Sequence, residues 1–261
     1  MIMPNLIPID EWTKNVNQTP APDEIIQDIL FDTPEVSVLV GRSGIGKTNL
    51  ANQLAHSIAN QNQNEFIGQK ILSHHAVSYT GFEVDKHQFN IRNANLEKYI
   101  PASPMLWVCN PAPFFKLNDK TKPDFEKTFN FKVNIIDPVK YIVPGSVSDP
   151  TVVTDFLQML EEVMRTNKSM AIVVLYFKKL DNRSPQEPDD LWNIKGATEW
   201  GDICSTVLMM ERTKQGHKIG GGFAPVNKDD VTLYFAKTRN AALLHDPINL
   251  HWNRQKCLFE V

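Results

Sequence analysis

Long apolar runs are missing from this chain of 261 residues. None approaches the roughly eighteen residues needed to span a bilayer, and no signal-peptide pattern opens the sequence. The expectation is a cytoplasmic protein with no membrane partner. Cysteine is scarce as well. Cys109, Cys204 and Cys257 are odd in number and far apart, which argues against a disulfide framework and against a closed zinc site. Neither charge dominates: 27 basic and 30 acidic residues leave a net charge of −3. Nothing therefore draws the chain as a whole to nucleic acid, and any such contact needs a local basic surface. Repeats and low-complexity tracts are also absent. The remainder, 42% hydrophobic and 22% charged, is ordinary for a globular protein and long enough for one large α/β domain with a small appendage.

Glycine too is sparse, with 12 in all, yet three of them stand in Gly41-Arg42-Ser43-Gly44-Ile45-Gly46-Lys47-Thr48. This is G-x-x-x-x-G-K-T, the phosphate-binding P-loop. Val36-Ser37-Val38-Leu39-Val40 precedes it as a buried strand, and Leu50, Leu54, Ala55 and Ile58 follow at helical spacing. A chance lysine in a glycine turn would not come framed in this way. The glycines let backbone N–H groups curl around phosphates, and the helix N-terminus adds partial positive charge. Gly41 to Asn49 are thus the expected nucleotide-binding residues. Lys47 is expected to reach the β- and γ-phosphates of ATP, and the Thr48 hydroxyl to ligate Mg²⁺.

Residues 1–33 are polar and proline-dotted and read as an arm or strap, with the main domain over 34–261. A second strand is expected over Lys70 to Thr80, then a loop entering a helix by Arg92, and a short strand over Met105 to Cys109. Residues 110–130, with Pro111, Pro113 and Pro123, look irregular. Val133-Asn134-Ile135-Ile136-Asp137 reads as a core strand ending in an acid. An amphipathic helix carries Val152, Phe156, Leu157, Leu160, Val163 and Met164, and Met170 to Phe177 reads as a strand. Asp181 to Asp190 reads as a mobile loop. Strands around Thr206–Glu211 and Val231–Ala236 bracket a glycine- and lysine-containing connection. Strands alternating with helices argue an α/β fold with a mostly parallel twisted sheet, and the bracketed pair an antiparallel hairpin at one edge.

Ligands of open α/β sheets sit at the carboxyl ends of strands. Asp137 stands at such an end and fits a carboxylate that holds Mg²⁺ together with Thr48; a turn-starting aspartate before Pro138 is the plainer alternative. Glu83, just past the second strand, fits a base for the attacking water, and equally a helix N-terminal acid favoured by the macrodipole. Lys237 and Arg239, one residue apart in a β-like segment, point to the same side. They suit a neighbour's γ-phosphate, or simply a solvated strand end.

Taken in order, these pieces resemble the RecA-fold ATPases, in particular the hexameric helicase branch with its DnaB-like and compact RepA-like members. The residues that carry the resemblance are the P-loop, Glu83 within Gly-Phe-Glu-Val-Asp-Lys-His-Gln-Phe-Asn-Ile-Arg, Asp137, and Ala236-Lys237-Thr238-Arg239-Asn240. It implies a RecA-like P-loop NTPase fold, Mg²⁺-dependent ATP hydrolysis, Glu83 as catalytic base and Lys237 with Arg239 as a finger pair acting in trans. It also implies a homo-oligomer, a hexameric ring or else a filament, on single-stranded DNA. Lys195-Gly196-Ala197-Thr198, with Asp202, is similar to the segment after the nucleic-acid loop of compact helicases.

Two departures stand out. Where the family ends a core strand with a His or Gln sensor, this chain reads Leu175-Tyr176-Phe177-Lys178-Lys179. No counterpart of the primase-binding amino-terminal domain of replicative helicases is expected; the arm, with Leu6, Ile7, Ile9 and Trp12, is expected to pack on a neighbour or back on its own domain. The loop cations Lys178, Lys179, Arg183, Lys195, Lys214 and Lys218 are the candidate DNA contacts, with Trp192 as a base-stacking aromatic. A filament-forming recombinase or mediator, and an ATP-dependent assembly switch that binds no nucleic acid, are the rival readings. A small-molecule kinase would leave Glu83, Lys237 and Arg239 without a purpose.

Overall fold

The computed structural model describes residues 8–9, 22–82, 86–109, 116–176, 198–213, 218–219, 222–223, 227, 229–241 and 245–261. Its strands are β1 (Glu24–Ile26), β2 (Leu30–Phe31), β3 (Val36–Gly41), β4 (Glu65–Phe66), β5 (Gln69–Lys70), β6 (Val77–Gly81), β7 (Leu106–Cys109) and β8 (Val133–Asp137). They continue as β9 (Met170–Tyr176), β10 (Thr206–Arg212), β11 (Lys218–Ile219), β12 (Gly222–Phe223), β13 (Asp230–Thr238), β14 (Ile248–Asn253) and β15 (Leu258–Glu260). The helices are α1 (Lys47–Ala59), α2 (Lys86–Leu96), α3 (Lys122–Thr128), α4 (Pro150–Asn167) and α5 (Glu199–Ile203).

Nine strands form one sheet in the order β15-β14-β13-β10-β3-β9-β8-β6-β7. From β10 to β7 all neighbours run parallel. Both faces of this part are covered, so its strands are continuous apolar runs with side chains alternating between two cores. On β9, Met170, Ile172 and Val174 enter the core beneath α1, while Ala171, Val173 and Leu175 enter the core beneath α4. The first core also takes Ile25, Ile26, Ile29 and Leu30 from the β1–β2 hairpin. In the second, α4 buries Val153, Phe156, Leu157, Leu160, Val163 and Met164. Asp149 caps α4 by accepting from the amides of Thr151 and Val152.

Three details differ from the sequence expectation. Residues 110–130 contain α3, because Pro123 falls in its first turn, where a missing N–H costs nothing. Residues 70–80 do not run as one strand. Lys70 closes the β4–β5 hairpin, His75 donates its backbone N–H to the Ile58 carbonyl at the end of α1, and the strand resumes at Val77. The antiparallel part is larger than one hairpin: β13 pairs with β10 on one side and is extended by β14 and β15 on the other.

Candidate nucleotide site

The turn Arg42–Gly46 joins the carboxyl end of β3 to α1. Gly44 and Gly46 adopt φ of 73° and 103°, the left-handed region that glycine alone enters without strain. A Cβ on Gly46 would also lie 2.6 Å from Cζ of Phe259. Gly46 is the N-cap of α1, which has no side-chain cap and no acidic residue in its first turn. A helix start of this kind, with its partial positive charge, suits an anion.

Over this turn opens a hollow of about 340 Å³ lined by Ser43, Gly44, Gly46, Lys47, Thr48, Asn49, Arg92, Asp137 and Tyr176. Lys47 is buried; its Nζ donates to the carbonyls of Gly41 and Arg42, both at 2.8 Å, and lies 4.3 Å from the centre of the Tyr176 ring. Asp137, at the end of β8, accepts from the Tyr79 hydroxyl through Oδ2 at 2.7 Å. Burial, then the charge and hydrogen bond of Asp137, hold the Tyr79 hydroxyl far above its usual range, with Arg92 acting the other way. Tyr79 therefore stays a donor to Asp137 and keeps that carboxylate oriented.

The structure thus brings Lys47, Thr48, Asn49 and Asp137 to one hollow. An all-oxygen pair, the Thr48 hydroxyl and the Asp137 carboxylate, suits Mg²⁺, which takes few protein ligands and completes its shell with water and phosphate. Glu83 lies outside the described residues, although Phe82 before it donates its backbone N–H to the Asp137 carbonyl at 2.9 Å. Lys237 and Arg239 are not brought to this hollow. The residue between them, Thr238, pairs with Thr206 at the start of β10, beside the start of β3. That places both cations one strand length, about 16 Å, from the P-loop end. Lys237 Nζ donates to the carbonyls of Gly201 (2.8 Å) and Asp202 (2.6 Å), and Arg239 Nη2 to those of Asp202 (3.3 Å) and Ile203 (3.1 Å). Together they cap the carboxyl end of α5.

Other sequence candidates fall elsewhere. Lys178, Lys179, Arg183, Trp192, Lys195, Gly196, Ala197, Lys214, Leu6, Ile7 and Trp12, and the loop from Asp181 to Asp190, lie outside the described residues. Thr198 is the N-cap of α5, Lys218 lies on β11, and Ile9 is 77% exposed.

Sequence reading missed a second hollow, about 220 Å³, on the other side of the P-loop, lined by Gly44, Ile45, Gly46, Asn49, Arg212, Asp229, Val231, Trp252, Arg254 and Phe259. Arg254 grips Asp229 through two 2.8 Å bonds at its rim. The alternation of Ile248, Leu250 and Trp252 carried the signal for β14, but nothing in it announced contact with the P-loop. Arg92 was missed as well. It stands three residues after Phe89, whose ring stacks on Tyr79 with centres 5.5 Å apart, so helical spacing alone puts it on the inward face.

Among the described residues no helix is long and apolar enough to cross a membrane. The AAA domain family model matches residues 6–181. The fold is similar to that of a structure solved as an ATPase domain, at 12% identity and a TM-score of 0.63, over 97% of this chain and 96% of that one. It is similar to a DnaB-like replicative helicase, solved for its interactions with primase, at 11% identity and a TM-score of 0.62, over 97% of this chain and 67% of that one. The flagellar accessory protein FlaH from Methanocaldococcus jannaschii gives 12% identity and a TM-score of 0.54, over 88% and 90%. No curated protein matches the sequence. The likeness to solved structures establishes the fold, a RecA-like P-loop sheet.

Proposed function

The chain belongs to the AAA domain family, and from that premise we propose that this P-loop ATPase hydrolyses Mg²⁺-ATP as a ring-forming helicase or translocase on single-stranded nucleic acid. The observation that carries the reading is the fold likeness, end to end with a solved ATPase domain and over 67% of a DnaB-like helicase, joined to a hollow that holds Lys47, Thr48 and Asp137 together.

Lys47 leaves the carbonyls of its own turn for the β- and γ-phosphates, while the α1 amides take the phosphate oxygens. Thr48 and Asp137 would hold Mg²⁺, which would supply neutralising charge beside the phosphates. Glu83 accepts the proton of the attacking water. The base extends toward the second hollow, where Trp252 offers an aromatic face. Lys237 and Arg239, remote from their own P-loop, serve the site of the next subunit. The loop cations Lys178, Lys179, Arg183, Lys195, Lys214 and Lys218, with Trp192, hold the nucleic acid.

A second reading, an ATP-driven assembly switch without nucleic acid, is favoured by the likeness to FlaH and by Tyr176 in place of a His or Gln sensor. ATP hydrolysis measured with and without a single-stranded DNA oligonucleotide, at low and moderate salt, separates the two. Stimulation that fades with salt supports the motor. A flat response over intact basal hydrolysis supports the switch.

A further inference from the structure

Ser78 and Tyr79 both bond across from β6 to β8, with different reach. Ser78 meets the residue directly opposite, its Oγ donating to Asn134 Oδ1 at 2.8 Å. Tyr79 stands opposite Ile135, yet its hydroxyl donates to Asp137, two residues and about 7 Å further along the strand. The register partner of Asp137 is Gly81, where a Cβ would already stand 3.4 Å from Cε1 of the Tyr79 ring. Glycine at that point leaves the ring its path to the carboxylate, and a longer side chain would lie across it.

The ring is held along that path. Tyr79 is 0% exposed, and Phe89 of α2 stacks on it with centres 5.5 Å apart. The backbone does not fix the carboxylate in the same way, because the last torsion of an aspartate is a broad, two-fold rotor. A bond of 2.7 Å from a pinned hydroxyl to Oδ2 sets the plane that the strand leaves loose. Asp137 lines the phosphate hollow together with Thr48, whereas Tyr79 does not reach it. A phenol is moreover a neutral donor. It orients the carboxylate without spending the negative charge that a cation in the hollow requires.

We propose that Tyr79 is a positioning residue for the metal: its hydroxyl turns Asp137 toward Mg²⁺, so that the gain in nucleotide binding from the metal depends on this one hydrogen bond. This rests on the ATPase reading above. Mg²⁺ demands near-ideal octahedral geometry and accepts few protein ligands, so a carboxylate free to rotate is a poor partner for it. Tyr79 touches neither metal nor nucleotide and acts through Asp137. Its removal should therefore weaken metal-dependent binding and spare the contacts that the P-loop makes without metal.

The test is the dissociation constant of a non-hydrolysable ATP analogue, in EDTA and in saturating Mg²⁺, for the full chain and for Tyr79→Phe. By linkage, the ratio of the two constants reports the protein's own hold on the metal. Phenylalanine keeps the buried ring and its stack on Phe89 and removes the hydroxyl alone. Loss of a partner that orients a metal ligand predicts that the ratio falls roughly 10- to 100-fold. Affinity in EDTA should change by less than about threefold, which also reports that the variant is folded. On an Asp137→Asn background the same substitution should cost nothing more, because its effect passes through that carboxylate. An unchanged ratio in Tyr79→Phe, or a further fall on the Asp137→Asn background, would overturn the assignment while leaving the ATPase reading intact. If the unmodified chain binds the analogue in neither condition, the ATPase reading itself fails, and the role of Tyr79 with it.

Discussion

The side-chain amide of Gln53 takes both backbone groups of Phe259: the Phe259 N–H donates to Oε1 at 2.7 Å, and Nε2 donates to the Phe259 carbonyl at 3.0 Å. Gln53 sits on α1 and Phe259 on β15, the outer strand of the antiparallel extension, 206 residues away in sequence. One glutamine thus acts as the missing neighbour strand for a sheet edge. It also fixes the Phe259 ring against Gly46, the last turn residue before the phosphate-binding helix. The far end of the sheet thereby buttresses the P-loop.

Removal of the Gln53 amide should therefore destabilise the fold and loosen the site together. Gln53→Ala leaves a buried N–H and a buried carbonyl without partners, at a cost of about 2–4 kcal/mol. Gln53→Glu keeps the acceptor but sets a carboxylate against a carbonyl and should be no better. Urea unfolding midpoints give the stability change. A parallel fall in nucleotide affinity checks the buttress, and full affinity in the folded variant would show that β15 does not support the turn.

Gly46→Ala should abolish nucleotide binding for two reasons that can be separated. The new methyl meets Phe259 at 2.6 Å, and the residue would sit at φ 103°. Adding Phe259→Ala removes the clash but not the backbone strain. The double variant should regain no nucleotide affinity, measured by titration with a fluorescent nucleotide. Recovery would mean that the ring alone, and not the left-handed backbone, makes glycine necessary.

Acid should weaken the fold through His56. Burial, only partly offset by the Asn93 amide, pushes this imidazole down to about 4. The unfolded chain protonates near 6.5, so between pH 6.5 and 4 it binds more protons than the folded one. Stability is full above that window and falls as the pH drops through it, by about 3 kcal/mol at most. His75, lowered chiefly by burial, acts in the same direction. His56→Leu should flatten the slope of unfolding midpoint against pH by nearly one proton, and an unchanged slope would assign the acid sensitivity elsewhere.

How far the sequence could be read follows from the range of each signal. The P-loop, β3, α1, β8 and β9 are local patterns, in which a few adjacent residues encode both element and ligand chemistry. The place of Asp137 at a strand end beside the P-loop was legible for the same reason: a strand end and an acid stand side by side. Gln53, Arg92, Trp252 and Phe259 were not, because each takes its neighbours from the sheet order. Phe259 lies on a three-residue strand with no periodicity to read. α3 was hidden by proline counting, although Pro123 lies in the first turn of the helix, where proline is tolerated.

Lys237 and Arg239 give the sharpest test of assembly, because the isolated subunit already employs them. Their five-residue helix α5 ends on carbonyls that these two side chains satisfy. Burial, and Arg239 nearby, hold the Lys237 ammonium below its ordinary pKa, as expected of a cation kept in a crowded, partly dry setting. To stabilise charge on a neighbour's phosphate, either side chain must release α5, so cap and finger are mutually exclusive uses. If trans action is their function, Arg239→Ala should bind nucleotide normally and lose roughly 10³-fold or more in hydrolysis. Mixing it with Lys47→Ala subunits, which keep the finger but lack the phosphate lysine, should then restore part of the rate. If capping is their whole function, Arg239→Ala should instead lower the melting temperature, hydrolyse ATP at the wild-type rate per folded subunit, and gain nothing from mixing.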